Sequence, residues 1–220
     1  MSVTIFIARI HGAGKSTISR ELAKLLGASH VTAGDLIRAS ASATNKVTVG
    51  VKAVPNVDGN QQLLIRGLAV YRARNAGPLL LDGHFMLRTP DGAIAEIPVA
   101  VYQAIAPVAV LLVETDAVTI HSRLMERDKK AAPVAIITEL ARRERAQAKR
   151  VCGDLNIPLL AVSGDAAADE AAIAAASLVR PILGNHQLPA YGSRHHQTRL
   201  FHRDPAPPPY PESPGWSKPS

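Results

Sequence analysis

The sequence predicts an α/β domain in three layers, with helices on both faces of a mainly parallel five-stranded sheet. Three observations lead there. The apolar runs at residues 3–8, 79–81 and 108–113 are continuous rather than alternating, as in strands covered on both faces. Amphipathic stretches of helical period separate the runs, the order that makes successive strands parallel. The first run passes through Arg9-Ile10-His11-Gly12-Ala13-Gly14-Lys15-Ser16-Thr17 into Ile18, Leu22, Leu25 and Leu26, spelling strand, glycine loop and helix.

That loop has the chemistry of a phosphate cradle. Gly12 and Gly14 let the backbone curl so that successive N–H groups point inward at a polyphosphate, and the helix start adds its positive dipole end. Gly12, Ala13, Gly14, Lys15, Ser16 and Thr17 are therefore the expected ATP-binding set, Lys15 reaching the β- and γ-phosphates and Ser16 ligating Mg2+. The expected fold is a P-loop NTPase domain. The full pattern begins with a glycine five residues before the Gly of Gly-Lys, where this chain has Arg9. Two readings follow: a working loop that accommodates Arg9, or a loop that kept its fold and lost turnover.

A chain of 220 residues suits one α/β domain and an appendage. Aromatic residues make up only 4%, leaving little for stacking on nucleic-acid bases. The formal charge of +7 owes much to arginines between Arg123 and Arg150, which fits local anion binding better than a broad basic face. Cys152 is the one cysteine, so no disulfide framework exists, and it is expected to face the core. No apolar run reaches a membrane span and no signal core precedes the first strand, so a cytoplasmic location is expected.

After the first helix, Gly27 is placed to end it in a left-handed cap, and residues 28–31 read as a short strand. Thr32-Ala33-Gly34-Asp35-Leu36-Ile37-Arg38 follows, then an aperiodic stretch over residues 39–58 that reads as a mobile acceptor-side segment. Leu64, Leu68 and Tyr71 fall at helical spacing between Asn60 and Asn75, and Gly77-Pro78 stops that helix. Gln61 and Gln62 on it stand either against a base or in solvent. Leu79-Leu80-Leu81-Asp82-Gly83-His84-Phe85 is a buried strand ending in a carboxylate, expected beside the phosphate loop with Asp82 orienting a Mg2+-bound water. His84 is either a substrate contact or a cap for a neighbouring loop. Thr89-Pro90-Asp91-Gly92 is turn chemistry, giving a small hairpin between Arg88 and Pro98.

The strand at 108–113 ends in Glu114-Thr115-Asp116, and Thr115 or Asp116 caps the helix that follows. On that helix Ile120 and Leu124 face the core, and Arg123 and Arg127 share another side one turn apart. Pro133 opens a further helix, with Ile137, Leu140, Ala141, Ala148 and Val151 as its buried face. Its Arg142, Arg143 and Arg145 either reach a transferring phosphoryl group or lie on a solvated face, with Glu139 to Arg143 an i,i+4 pair. Residues 157–162 are the last strand and 166–179 the last helix. The kinase-like domain is expected to span 1–183. The proline-rich tail 184–220 is expected to be disordered, since it buries too little to offset its ordering entropy. His195, His196 and His202 lack an acidic or cysteine partner that would make a metal site.

Several of these motifs resemble those of adenylate kinases and related nucleoside monophosphate kinases. Residues 32–38 resemble their Thr-Gly-Asp-Leu-Leu-Arg segment, which implies that Thr32 and Arg38 hold an acceptor. Asp82-Gly83-His84-Phe85-Met86-Leu87-Arg88 stands where that family has Asp-Gly-Phe-Pro-Arg, leaving Arg88 as the candidate for the family arginine and His84 as a candidate contact. The Arg123 and Arg127 spacing is similar to the family's donor clamp, and residues 129–133 are then a stub in place of a folded lid. The likeness runs over about residues 1–162 and is similar to bacterial and archaeal ATP-binding proteins described as adenylate kinase-like.

Together these point to a small kinase moving the γ-phosphoryl of ATP to a nucleoside monophosphate or similar small acceptor. A hydroxyl acceptor would need Asp35 or Asp82 to take its proton. The alternative is a nucleotide-sensing switch with little or no turnover. Nucleic-acid binding through the arginine helix is a third reading, marked by steep salt dependence.

Overall fold

The computed structural model describes residues 3–9, 15–43, 57–89 and 93–187. Its elements in order are β1 (Thr4–Ala8), α1 (Lys15–Leu26), β2 (Ser29–Thr32), α2 (Ala33–Ala43), α3 (Val57–Arg74), β3 (Leu79–Gly83), β4 (Met86–Arg88), β5 (Ile94–Glu96), α4 (Val99–Ile105), β6 (Ala109–Glu114), α5 (Ala117–Asp128), α6 (Val134–Leu155), β7 (Leu159–Ser163) and α7 (Ala168–Gln187). Five strands form one parallel sheet in the order β2-β3-β1-β6-β7, and β4 and β5 make a separate antiparallel hairpin. The α/β fold with its five-stranded parallel sheet is as the sequence predicts.

Strand alternation divides the core. Ile5 and Ile7 of β1, Leu80, Leu111 and Val113 point toward Ile18 and Leu22 of α1 and the alanine stripe Ala172, Ala175, Ala176 and Val179 of α7. Phe6, Ala8, Leu81, Val110 and Leu112 point the other way, toward α3, α4 and α6. On that side Phe6, Phe85 and Tyr102 form an aromatic cluster, with centroids 4.6 Å apart for Phe85–Tyr102 and 5.3 Å for the other two pairs. Gly83 has to lack a side chain, because a Cβ there would come within 2.5 Å of the Phe6 ring.

Local expectations fare unevenly. Gly27 takes φ +59° and ends α1 as predicted. Of the apolar residues that mark α1, Leu25 is 41% exposed, and Ser19 takes a core position. Residues 39–43, read as aperiodic, continue α2: Ser40 lies against Gly67 of α3, where any Cβ would meet the Leu36 carbonyl at 2.6 Å. The rest of that aperiodic stretch, up to residue 56, lies outside the described residues. α4 was not foreseen at all. The last helix runs past residue 179 to Gln187, with Pro181 inside it, because Leu183 extends the buried stripe by one further turn. The chain divides into units at residues 1–188 and 189–220, and the second lies outside the described residues, along with the histidines at 195, 196 and 202. Among the described residues no helix is long and apolar enough to cross a membrane.

Candidate functional site

Parallel strands deliver their carboxyl ends to one edge, which is where an open α/β sheet binds ligands. β1 and β3 are neighbours, with Ile7 beside Asp82 and Ala8 beside Gly83, and Thr32 of β2 pairs with Asp82 on the other side. Asp82 therefore stands beside the strand that feeds the glycine loop, as expected. Gly12, Ala13 and Gly14 lie outside the described residues; Lys15, Ser16 and Thr17 form the first turn of α1, with Thr17 exposed.

Arg9, the residue directly after β1, is 4% exposed. Its guanidinium donates to Asp82 Oδ2 and, over 3.1 Å, to Ser19 Oγ. Burial pulls its pKa below the usual arginine value, and Asp82 opposes that shift. Ser19 Oγ also donates to Asp82 Oδ1 at 3.1 Å, and His30 Nε2 lies 3.0 Å from Oδ2. Asp82, itself 6% exposed, thus has both oxygens committed to protein groups. These three groups take three of the about four acceptor sites of an ionised carboxylate.

Two cavities open along this edge. The smaller, about 340 Å³, is lined by Thr32, Gly34, Arg38, Gln61, Asp82 and His84 over an apolar floor that includes Phe6, Leu64 and Ile105. Thr32 and Arg38, six residues apart, share this cavity with the distant His84. Thr32 also caps α2: its Oγ1 accepts from Asp35 N at 3.0 Å and donates to the Asp35 carboxylate at 2.6 Å. Arg38 pairs with Asp35 across the Gly34 surface, with both side chains more than half exposed. Thr32's hydrogen bond, with help from Arg38, holds the Asp35 carboxyl below its usual range. His84 lines the cavity, and its Nδ1 bonds the Arg9 carbonyl that leads into the loop. Tyr102 Oη donates to the His84 carbonyl at 2.8 Å and fixes its backbone. Gln61 Oε1 is buried without a hydrogen-bond partner, while Gln62 is exposed. Arg88 closes β4 opposite Ile94.

The larger cavity, about 860 Å³, lies between α6 and the ends of β6 and β7, and Arg142, Arg145, Lys149, Glu114, Thr115, Asp116 and Asp165 line it with Arg9 at one end. Arg145 grips Glu114 with a 2.8 Å ion pair, and Arg142 and Arg143 both hold Glu139, drawing its carboxyl down to about 2. Asp116 caps α5 by accepting from Val118 N at 2.8 Å. Arg123 and Arg127 do not converge on this cavity. Arg123 donates to the Gly164 carbonyl at 3.1 Å, and Arg127 pairs with its chain neighbour Asp128, half exposed to solvent. The reason is local: each finds an acceptor within reach, and residues 129–133 form only a short link to α6.

Glu144 and Gln147 of α6 escaped the sequence reading. Glu144 is 2% exposed, and its two oxygens accept from Phe85 N and Met86 N, each at 2.8 Å. Burial pushes its carboxyl up to about 8, against the pull of those two bonds. Gln147 Nε2 donates to the Ile97 carbonyl at 3.2 Å, and Arg150 reaches Glu96. These side chains fasten the hairpin β4–β5 to α6. Their signal was present: Glu144 sits at the 3- and 4-residue spacing from Leu140, Ala141 and Ala148, on an otherwise apolar stripe.

Residues 10–141 match the family model described as AAA domain. The chain belongs to that family. As a member of the AAA domain family it has the fold of the adenylate kinase-like P-loop superfamily. One solved structure similar to it is a gluconokinase from Sinorhizobium meliloti 1021, at 13% identity and TM-score 0.50, covering 84% of this chain and 95% of that one. That likeness concerns the fold. Among curated proteins, no sequence matches this family member.

Proposed function

We propose that the chain is a small kinase that transfers the γ-phosphoryl of ATP to a nucleoside monophosphate or a similar small phosphate-bearing acceptor. The smaller cavity carries this reading, since it gathers Thr32, Arg38 and His84 beside the end of β1. The amides of residues 12–17 and Lys15 hold the donor phosphates, and the larger cavity takes the rest of the donor, with Lys149 on its wall and Arg142 and Arg145 reaching it once they leave Glu139 and Glu114. Arg123 and Arg127 neutralise the transferring group once they leave Gly164 and Asp128, and Arg88 assists at the acceptor. No protein base is needed for an acceptor that is already ionised. The two carboxylates nearest the acceptor cavity favour that choice: Asp35 is held to a low pKa and Asp82 is committed to Arg9, so neither suits the removal of a hydroxyl proton near neutral pH. ATP as donor and the single buried thiol go with a cytoplasmic setting.

The switch reading has one observation of its own, the buried Arg9–Asp82 pair, which removes a carboxylate on which P-loop turnover ordinarily draws. Nucleic-acid binding loses ground because Arg142, Arg143, Arg145 and Arg150 are each paired with a glutamate. A coupled assay with ATP and a panel of nucleoside monophosphates and sugar acids separates these readings. Phosphoryl transfer that depends on a monophosphate, and is lost in Lys15→Ala, supports the kinase. Saturable ATP binding with no product from any acceptor supports the switch and overturns the kinase.

A further inference from the structure

We infer that Glu144 positions the acceptor through His84: by holding the turn between β3 and β4 it sets where the imidazole stands on the wall of the smaller cavity. The inference rests on the proposal that this cavity takes the acceptor. The amides of Phe85 and Met86 lie where one ladder has ended and the next has only begun, since β3 pairs with β1 as far as Gly83 and the β4–β5 ladder starts at Met86. Both residues are buried, so these N–H groups need an acceptor from elsewhere. Glu144, reaching across from α6, supplies one oxygen to each at 2.8 Å. The residue before them is held as well: the His84 carbonyl accepts from Tyr102 Oη at 2.8 Å, and Nδ1 donates to the Arg9 carbonyl. Main chain and ring are thus gripped from α6, from α4 and from the end of β1. A turn that shifts carries the ring with it, away from its place beside Thr32 and Arg38 in the cavity lining. Attachment alone does not call for a carboxylate, because Gln147 and Arg150 already tie the hairpin to α6 at Ile97 and Glu96. At 2% exposure on an apolar stripe, a carboxylate costs more to bury than an apolar side chain would. What it adds is a pair of acceptors for two consecutive amides, which fixes the orientation of the turn as well as its attachment.

The test uses the full chain at pH 9, where the Glu144 carboxyl, pushed up to about 8 by burial, is ionised and histidine is neutral. In the parent the bond to a carbonyl puts the His84 proton on Nδ1. Proton–nitrogen correlation spectra of the rings report that tautomer, the His84 signals being those lost in His84→Ala. Glu144→Gln, with circular dichroism confirming the fold, is expected to move those signals toward the Nε2–H form. In the coupled assay, with the monophosphate of highest turnover as acceptor, Glu144→Gln should raise the acceptor KM about tenfold and leave the ATP KM within about twofold of the parent's. In the His84→Ala background it should add nothing to the acceptor KM, because both changes remove one interaction. His84 signals that stay where they are in Glu144→Gln overturn the inference. So do effects that multiply in the double variant, or an ATP KM that rises as much as the acceptor KM. Signals that move in a chain that phosphorylates no monophosphate leave Glu144 as the anchor of His84 and overturn the acceptor role together with the kinase reading, so the two failures are distinguishable.

Discussion

Glu144 makes the protein's stability depend on pH in a direction opposite to that of most carboxylates. Its carboxyl rises from 4.5 to about 8 on folding because burial disfavours the charge more than the Phe85 and Met86 amides favour it. A group whose folded pKa is raised keeps its proton in the folded state after the unfolded chain has lost it. Stability is therefore highest below pH 4.5 for this group, falls through the window between 4.5 and 8, and is flat above it. At 1.36 kcal/mol per pKa unit, the fall attributable to Glu144 is about 5 kcal/mol. Glu144→Gln removes the titration but offers one acceptor where the carboxyl offers two, leaving one of the amides facing an NH2, at a cost of about 1–3 kcal/mol. Urea unfolding of parent and variant, followed by far-ultraviolet circular dichroism from pH 5 to 9, reads the difference and cancels the other titrating groups. The parent should be more stable at pH 5, and the two curves should cross before pH 9. A difference constant across that range would mean that Glu144 is ionised throughout and that the two amides outweigh its burial.

Three further expectations are simpler. Arg38→Ala should raise the acceptor KM about 10- to 100-fold, the loss of a charge-assisted bond of about 1.5–3 kcal/mol. Its unfolding midpoint should stay unchanged, because the Arg38–Asp35 pair is 68% and 53% exposed and such pairs contribute about 0–1 kcal/mol. Gly83→Ala should destabilise the fold by about 1–3 kcal/mol in urea, since its Cβ would press into the Phe6 ring and the cluster has little room to yield. Cys152, buried and with its thiol pushed up to about 11, should be inert to a disulfide reagent in the native state and react fully in urea. Fast native labelling would show that α6 opens locally.

The strands and long helices were legible because each carries an apolar period that survives reading one residue at a time. Asp82 could be set beside the loop strand for the same reason, since a carboxylate at the end of a buried run has only one edge to occupy. What stayed hidden depended on partners distant in sequence. Arg9 reads as a defect in a motif until Asp82, 73 residues on, is seen to receive it. Glu144 and Gln147 are polar letters on an apolar stripe, and nothing local says that they meet amides of the β3–β4 turn and a carbonyl beyond β5. α2 continued through Ala43 because Gly67 allows small residues to pack closely, a contact that propensity does not encode. α4 spans only two turns between Pro98 and Ala106, too short for a period to register.

The fastening of the hairpin to α6 bears on how ligands in the two hollows would sense each other. One side of α6 carries the cations of the larger hollow; another clasps the turn just after His84, which borders the smaller. A rod clamped in this way has few independent tilts, so a shift that tightens its grip on one guest must also re-aim the rim around the second. Communication between the two hollows would then need no hinged flap, only travel along a single rigid body.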